Sequence, residues 1–447
     1  MPEERLRLSS VRTRAGGHAY IEGQRSEGRE LVKTAASMAT ATDRKFDLLS
    51  LGTFVVLGLP DGMLGTAWPA MRHSFGEPVG VLGLILLVNT IGSVVVATFV
   101  GRLIQWIGAA AVLAVAGVCA AVGSIGCAVA PGLWLVLSVG PLTGAAMGMM
   151  DGGLNTAVAL TGRTRLLNLL HGFYGVGTAI GPLVVTGAII AGSWRPAYLV
   201  LAALNVVAAA CWIAYRRSVP GPALAAGADA AREGPGAADA PARLAHPTEG
   251  WNQRRVVTVL TLGLIVFFLY TGLEVSAGQW ETSFLRGQLG LSASAAGLAA
   301  FGYWGALTAV RIGLALPARP VPAQAVIGPG LLAAIVASGL IWWQPGPVVT
   351  VVGFVVLGGA LAGVFPALIA VTPQRIGEGR AQHAIAWQVG AAAAGGSGIS
   401  AVIGLLIDRT SLAVFGPAIV VLALLLFVAN MALTRLAPIR APSALLL

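Results

Sequence analysis

Apolar residues fall in long runs separated by short polar breaks. Runs of about 20 residues, enough to cross about 30 Å of hydrocarbon, lie near 48–72, 79–104, 109–130, 133–160, 165–192 and 194–215. A second set lies near 255–279, 293–316, 322–343, 347–372, 383–406 and 410–434, with turn chemistry such as Pro345-Gly346-Pro347 between its members. The pattern predicts an all-α membrane protein with twelve transmembrane helices.

The two sets match one another at a nearly constant offset. Asp61 in the first helix answers Glu274 in the seventh, and Gly175 and Gly181 in the fifth answer Gly390 and Gly396 in the eleventh. Two parallel six-helix bundles are implied. Residues 218–253 are Ala, Gly, Pro and charge, with too little apolar content to pack. The expected organisation is a disordered cytoplasmic tail (1–46), a bundle (47–217), a cytoplasmic linker (218–253), a second bundle (254–434) and a cytoplasmic tail (435–447).

Composition agrees with lipid as the solvent: of 447 residues, 56% are hydrophobic and 10% charged. The 60 glycines suit helices that approach closely through small residues. The net charge of +10 does not indicate nucleic acid, because Lys33 and Lys45 are the only lysines and the arginines sit between apolar runs, not in one patch. Cys119, Cys127 and Cys211 lie inside apolar segments and offer neither a disulfide framework nor a metal spacing. Residues 1–45 are polar and Arg-rich without the apolar core of a cleavable signal peptide, and Met38 offers an alternative start.

With both termini cytoplasmic, only Arg72, Arg195, Arg286 and Arg409 of the 28 lysines and arginines fall in loops on the far side, and Arg311 falls within a span. The positive-inside rule then orients the chain as a multi-pass protein of the cell inner membrane.

Ionisable groups in a bilayer centre cost about 2.5–3.5 kcal/mol each on the insertion scale, so Asp61, Asp151, Glu274 and Arg311 need reasons to be there. By helix rise, Asp61 lies roughly 24 Å beyond Lys45 and Asp151 roughly 18 Å before Arg163, near mid-membrane, where both can face one cavity. A carboxyl that gains and loses its charge with hydration suits proton transfer. The other reading of each acid is a paired charge, or a cap on a turn loosened at Pro60-Asp61-Gly62. Glu274, with Glu281 two turns further, is open between proton coupling and a gate. Arg311 either neutralises an acid or snorkels to the surface. His171 either relays protons to Asp151 or is a hydrogen-bonded histidine near the helix end.

Candidates for binding a solute are Asn89 and Asn155, the latter one turn from Asp151, together with Tyr303, Trp304, Trp387 and Gln388. An indole face against C–H groups and an amide toward hydroxyls suit a sugar, and ordinary packing is the competing reading.

The segment GVGTAIGPLVVTG (Gly175 to Gly187) resembles the Gly-xxx-Gly-Pro motif of major facilitator transporters, and GRLIQWIG keeps Gly101, Leu103 and Gly108 of that family's signature loop, with Gln105 and Trp106 where the signature has Asp and Arg. LPDGMLGTAWPAM, MGMMDGGLNTAVAL, RLLNLLHGFYGVG and GLEVSAGQW together are similar to the fucose-proton symporter branch. That resemblance implies Asp61 and Asp151 as the acids of the first and fourth helices, Asn155 as the following Asn, Asn168 as the Asn of the fifth, and His171 in place of that branch's Gln.

The expected function is secondary active transport of a small polar solute, sugar or polyol-like, coupled to protons through alternating access. Proton-driven efflux of a drug or metabolite is the alternative within transport, and a polytopic enzyme or sensor the alternative outside it. No phosphate-cradling loop, nucleophilic triad or metal-ligand cluster is visible, so no enzyme activity, cofactor or metal is expected. The expected partners are the solute, protons and the bilayer, with the protein as a monomer and without nucleic acid.

Overall fold

The computed structural model describes residues 44–160, 164–218, 253–316 and 321–439. Met38 with the rest of the N-terminal tail, the linker from 219 to 252 and the end of the C-terminal tail lie outside them. By its contacts the chain divides at Leu49, and the packing described below belongs to the unit Ser50–Leu447.

Twelve helices are long and apolar enough to cross a membrane. They are α1 (Arg44–Phe75), α2 (Val79–Ala97), α3 (Ala109–Val129), α4 (Leu133–Val158), α5 (Leu169–Ile190), α6 (Arg195–Arg217), α7 (Gln253–Leu289), α8 (Ala293–Ala315), α9 (Ala323–Trp343), α10 (Pro347–Ile376), α11 (Gly379–Arg409) and α12 (Leu412–Leu436). Each apolar run has become one helix because a helix satisfies its own backbone groups where no water can. Among the described residues no strand occurs.

Two runs depart from continuous helix. The run 79–104 ends its span at Ala97, and after a turn at Thr98 and Phe99 a separate helix, Val100–Ile107, carries Arg102 and Gln105. Its Trp106 is 78% exposed, as befits a segment too polar to continue into hydrocarbon. Gly108 follows at φ 82°, a conformation that costs glycine nothing, and α3 starts at the next residue. The second departure is in α10, whose helical parts Pro347–Leu361 and Val364–Ile376 meet at a turn. Pro366 has no N–H to return to the Ala362 carbonyl.

In the first half α3 packs on α4 and α6, and α2 on α4. In the second α7 packs on α11 and α12, α8 on α10, and α9 on α10 and α12. The halves meet through α2 on α11 and α5 on α8, and through α1 on α7 where Gly65 abuts Gln279. A shift of six helices exchanges α2 with α8 and α5 with α11, so the first two interfaces are copies of one another.

Lipid supplies no hydrophobic reason for helices to associate, and backbone approach replaces it. A methyl group on Gly58 would collide with the Tyr174 carbonyl, one on Gly62 with that of Thr178, and one on Gly177 with that of Val55, so α1 and α5 run in main-chain contact. Gly395 of α11 meets the Phe268 carbonyl of α7 in the same way.

The end of α6, the start of α7 and the end of α12 lie on one face, since an even number of spans separates them. On the opposite face the amide of Gly80, at the start of α2, donates to Asp408 Oδ1 at 2.7 Å from the end of α11. A carboxylate there meets the positive end of the helix dipole.

Gly62→Val is expected to lower stability by about 1–3 kcal/mol through overpacking. Gly187→Ala, where an added Cβ meets nothing within 4 Å, is expected to leave stability unchanged. Thermal unfolding of the two variants in detergent, followed by monodispersity, checks the pair.

Candidate transport site

Asp61 sits in mid-α1 and receives a hydrogen bond from the Tyr174 hydroxyl of α5. The close α1–α5 contact at Gly58 is what brings Tyr174 so near. Across the interface between halves, Gln279 Nε2 of α7 donates to the main-chain oxygen of Asp61 at 2.8 Å.

Glu274, four residues after Tyr270 on α7, receives that tyrosine's hydroxyl, as the i, i+4 geometry of a helix allows. The same hydroxyl lies 2.8 Å from the Leu361 carbonyl. The Tyr303 hydroxyl of α8 donates to the Glu274 main-chain oxygen at 2.7 Å. Arg311 Nη2, also from α8, stands 3.7 Å from Glu274 Oε2, with the two side chains 21% and 15% exposed. Its Nε donates to the Ala362 carbonyl at 3.0 Å. The turn in α10 thus supplies the acceptors that an arginine and a tyrosine need away from water.

Asp151 of α4 accepts from Asn155 Nδ2 at 2.9 Å, and Asn155 Oδ1 is buried without a hydrogen-bond partner. Asp151 and His171 are both exposed. The His171 ring stands edge-on to Phe54, 5.9 Å between centroids. His171 interacts electrostatically with both Asp151 and Arg311, and Tyr174 with Asp61, Asp151 and Glu274. The acids of α1, α4 and α7 therefore share one electrostatic neighbourhood with His171 and Arg311.

Beside this cluster lies a cavity of about 270 Å³ bounded by helices of both halves. Asp61, Asn89, Asn205, Gln279 and Trp304 line it, with Ser93, Ser124, Thr143 and Ser397 adding hydroxyls and Met71, Met147 and Met150 adding soft apolar surface. Asn89 is held by Thr143 Oγ1, which donates to its Oδ1 at 2.7 Å, so its amide N–H groups are free to face the cavity. The volume sits just below the usual range of about 300–1,000 Å³ for ligand pockets, which fits a small solute.

Not every candidate from the sequence joins this site. Asp151 and Asn155 are not among the cavity's lining residues. Tyr303 is fully buried with its hydroxyl committed to Glu274. Trp387 is 70% exposed, and Gln388 is buried and accepts from Thr372 Oγ1 at 3.0 Å; neither lines the cavity. The Asn168 side chain lies outside the described residues. Arg311 stands beside Glu274 with its side chain 21% exposed.

Tyr174, Tyr270, Gln279 and the α10 turn are features of the candidate site that sequence reasoning missed. Tyr270 is one turn before Glu274 and Tyr174 nearly one turn after His171, so helical spacing from the charged residues could have found both. Gly363-Val364-Phe365-Pro366 signalled the turn. Glu281, fully buried with neither carboxyl oxygen hydrogen-bonded, is a further acid of the second half. Among the described residues no group of His, Cys, Asp and Glu could hold a metal ion.

Twelve helices fit to cross a membrane, with a cavity between the halves that has Asp61 in its wall, form the architecture of a membrane transporter. The chain belongs to the Major Facilitator Superfamily, whose family profile matches residues 50–399. Its fold is similar to that of a D-xylose-proton symporter, at 13% identity and TM-score 0.67 over 86% of this chain and 97% of the other. The nucleoside transporter NupG aligns at 14% identity and TM-score 0.66 over 88% of this chain and 98% of that one. A bacterial homolog of the human lysosomal transporter Spinster, inward-facing and occupied, aligns at 13% identity and TM-score 0.60, covering 90% and 99%. No curated protein matches the sequence.

Arg311→Gln is expected to destabilise the protein by about 3 kcal/mol, the lower end for stranding one partner of a buried pair. Adding Glu274→Gln should recover most of that loss. A double-mutant cycle of thermal unfolding in detergent measures the coupling.

Proposed function

We propose that this transporter is proton-coupled and moves a small polar solute across the cell inner membrane by alternating access. The observation that carries the reading is the imbalance of the cluster: among the described residues, Asp61, Asp151 and Glu274 share their surroundings with one permanent cation, Arg311. Hydrocarbon does not tolerate that excess of negative charge, and protons taken up and released remove it. Asp61 is the main proton carrier, because it faces both the cavity and, through Tyr174, the other acids. Asp151, exposed beside His171, exchanges protons with water, and Glu274 with Arg311 answers the protonation of Asp61.

Residues 47–217 and 254–434 rock as two bundles joined by 218–253, with both termini in the cytoplasm and the protein acting as a monomer. The Asp408 cap on α2 holds the outer face shut in this conformation. The solute is sugar- or nucleoside-like, which the amides and hydroxyls of the cavity wall favour, as do the resemblance to the fucose-proton symporter branch and the fold likeness to xylose and nucleoside transporters. Asn89, Gln279 and Trp304 contact it. Met71, Met147 and Met150 favour a second reading, proton-driven efflux of an amphiphilic metabolite or drug.

Proteoliposomes given labelled D-xylose or uridine and an inward proton gradient test the first reading. Wild-type protein should accumulate one of them and lose accumulation with a protonophore. Asp61→Asn should keep exchange of solute across the membrane yet lose gradient-driven accumulation. Accumulation by the variant that still follows the gradient removes Asp61 from the coupling. Gradient-driven movement of a lipophilic dye, with neither sugar nor nucleoside bound, selects efflux.

A further inference from the structure

Of the basic residues that break the positive-inside pattern, Arg72, Arg195 and Arg286 stand around one cavity of about 630 Å³ with His73 beside them. It lies on the face opposite the end of α12, where α1 ends, α5 turns into α6, and α7 ends. Arg195 is fixed in place: its Nη1 donates to the Ala128 carbonyl at 2.7 Å and its guanidinium lies 4.8 Å from the Trp194 ring centroid. The side chains of Arg72 and Arg286 are half-buried and, among the described residues, make no hydrogen bond or ion pair.

No carboxylate of the described residues lines the cavity. Asp408, close by at the end of α11, is committed to the Gly80 amide. Ser283 also lines the cavity, and its hydroxyl is buried, at 5% exposure for the residue, without a hydrogen-bond partner. Gathered guanidinium groups repel one another, and the repulsion is strong where water is scarce. An oxyanion removes it, because the planar fork of arginine matches phosphate and carboxylate oxygens in pairs.

We propose that this cavity is a second binding site, one that takes a phosphate-type oxyanion between Arg72 of the first half and Arg286 of the second. Arg195 and the Ser283 hydroxyl complete its shell. Because the arginines come from both halves, occupancy holds the halves together on this face and favours the conformation in which it is closed. The oxyanion belongs either to a dissolved solute or to the headgroup of an anionic lipid. The site stands whether or not the central cavity is proton-coupled.

Full-length protein in a neutral detergent is titrated with inorganic phosphate, against chloride at equal ionic strength, and the thermal midpoint is read. In parallel, nanodiscs of phosphatidylcholine are compared with nanodiscs containing phosphatidylglycerol. A saturable rise with phosphate, with apparent affinity weakened at least tenfold in Arg72→Gln and Arg286→Gln, assigns the site to a dissolved anion. A rise with phosphatidylglycerol alone, lost in the same variants, assigns it to a lipid headgroup. If neither probe raises the wild-type midpoint, or both act equally on the variants, the proposal is overturned. Should a Gln variant not be monodisperse, Ser283→Ala supplies that arm: affinity weakened severalfold is expected, and unchanged affinity overturns the role given to Ser283 and the site built on it.

Discussion

A guanidinium group kept inside a bilayer must have its N–H groups met by protein, and helices have no carbonyls to spare. Arg311 is accommodated because α10 breaks at Ala362 and Gly363, where Pro366 leaves the Ala362 carbonyl without a helical donor. Once Arg311 is held there, Glu274 has a cation beside it, Tyr270 donates its hydroxyl to the acid, and Tyr303 fixes the main chain of α7. The ordered interior of the second half follows from one missing backbone N–H. Such irregular backbone is tolerated at membrane depth only where protein or a cavity surrounds it.

The first half meets the same demand differently. Among the described residues no arginine is in contact with Asp61, whose carboxyl accepts from Tyr174, delivered by a helix that glycines allow to approach within main-chain distance. The offset that pairs Asp61 with Glu274 in sequence therefore pairs position but not chemistry. An acid bound to a neutral hydroxyl and an acid beside an arginine respond differently to a proton.

The spans were legible in the sequence because hydrocarbon leaves the backbone so few choices: each apolar run holds one membrane-crossing helix, though the runs 79–104 and 347–372 are broken within. The acids and Arg311 were legible for the same reason, since charge in an apolar run stands out. What stayed hidden was which way side chains turn. Trp387 and Gln388 sit on a span in the second half, yet one is exposed and the other packs against Thr372, because rotation about a helix axis is set by neighbours and not by the helix itself. Tyr174 and Tyr270 look like ordinary aromatic filler until their helices are placed. The break in the run 79–104 was missed because Phe99, Val100, Leu103 and Ile104 are apolar enough to disguise the start of a separate helix as span.

Under the proposed alternating access, the Asp408 carboxylate on the Gly80 amide makes the exit from this conformation a matter of exchange. When α2 and α11 separate, the first turn of α2 loses its acceptor and the carboxylate loses its donor, and water entering the gap is what replaces both. Hydration of that seam is thus part of the reaction coordinate of opening, and its speed depends on how readily water reaches a helix start flanked by the small residues Gly80, Gly83 and Gly404.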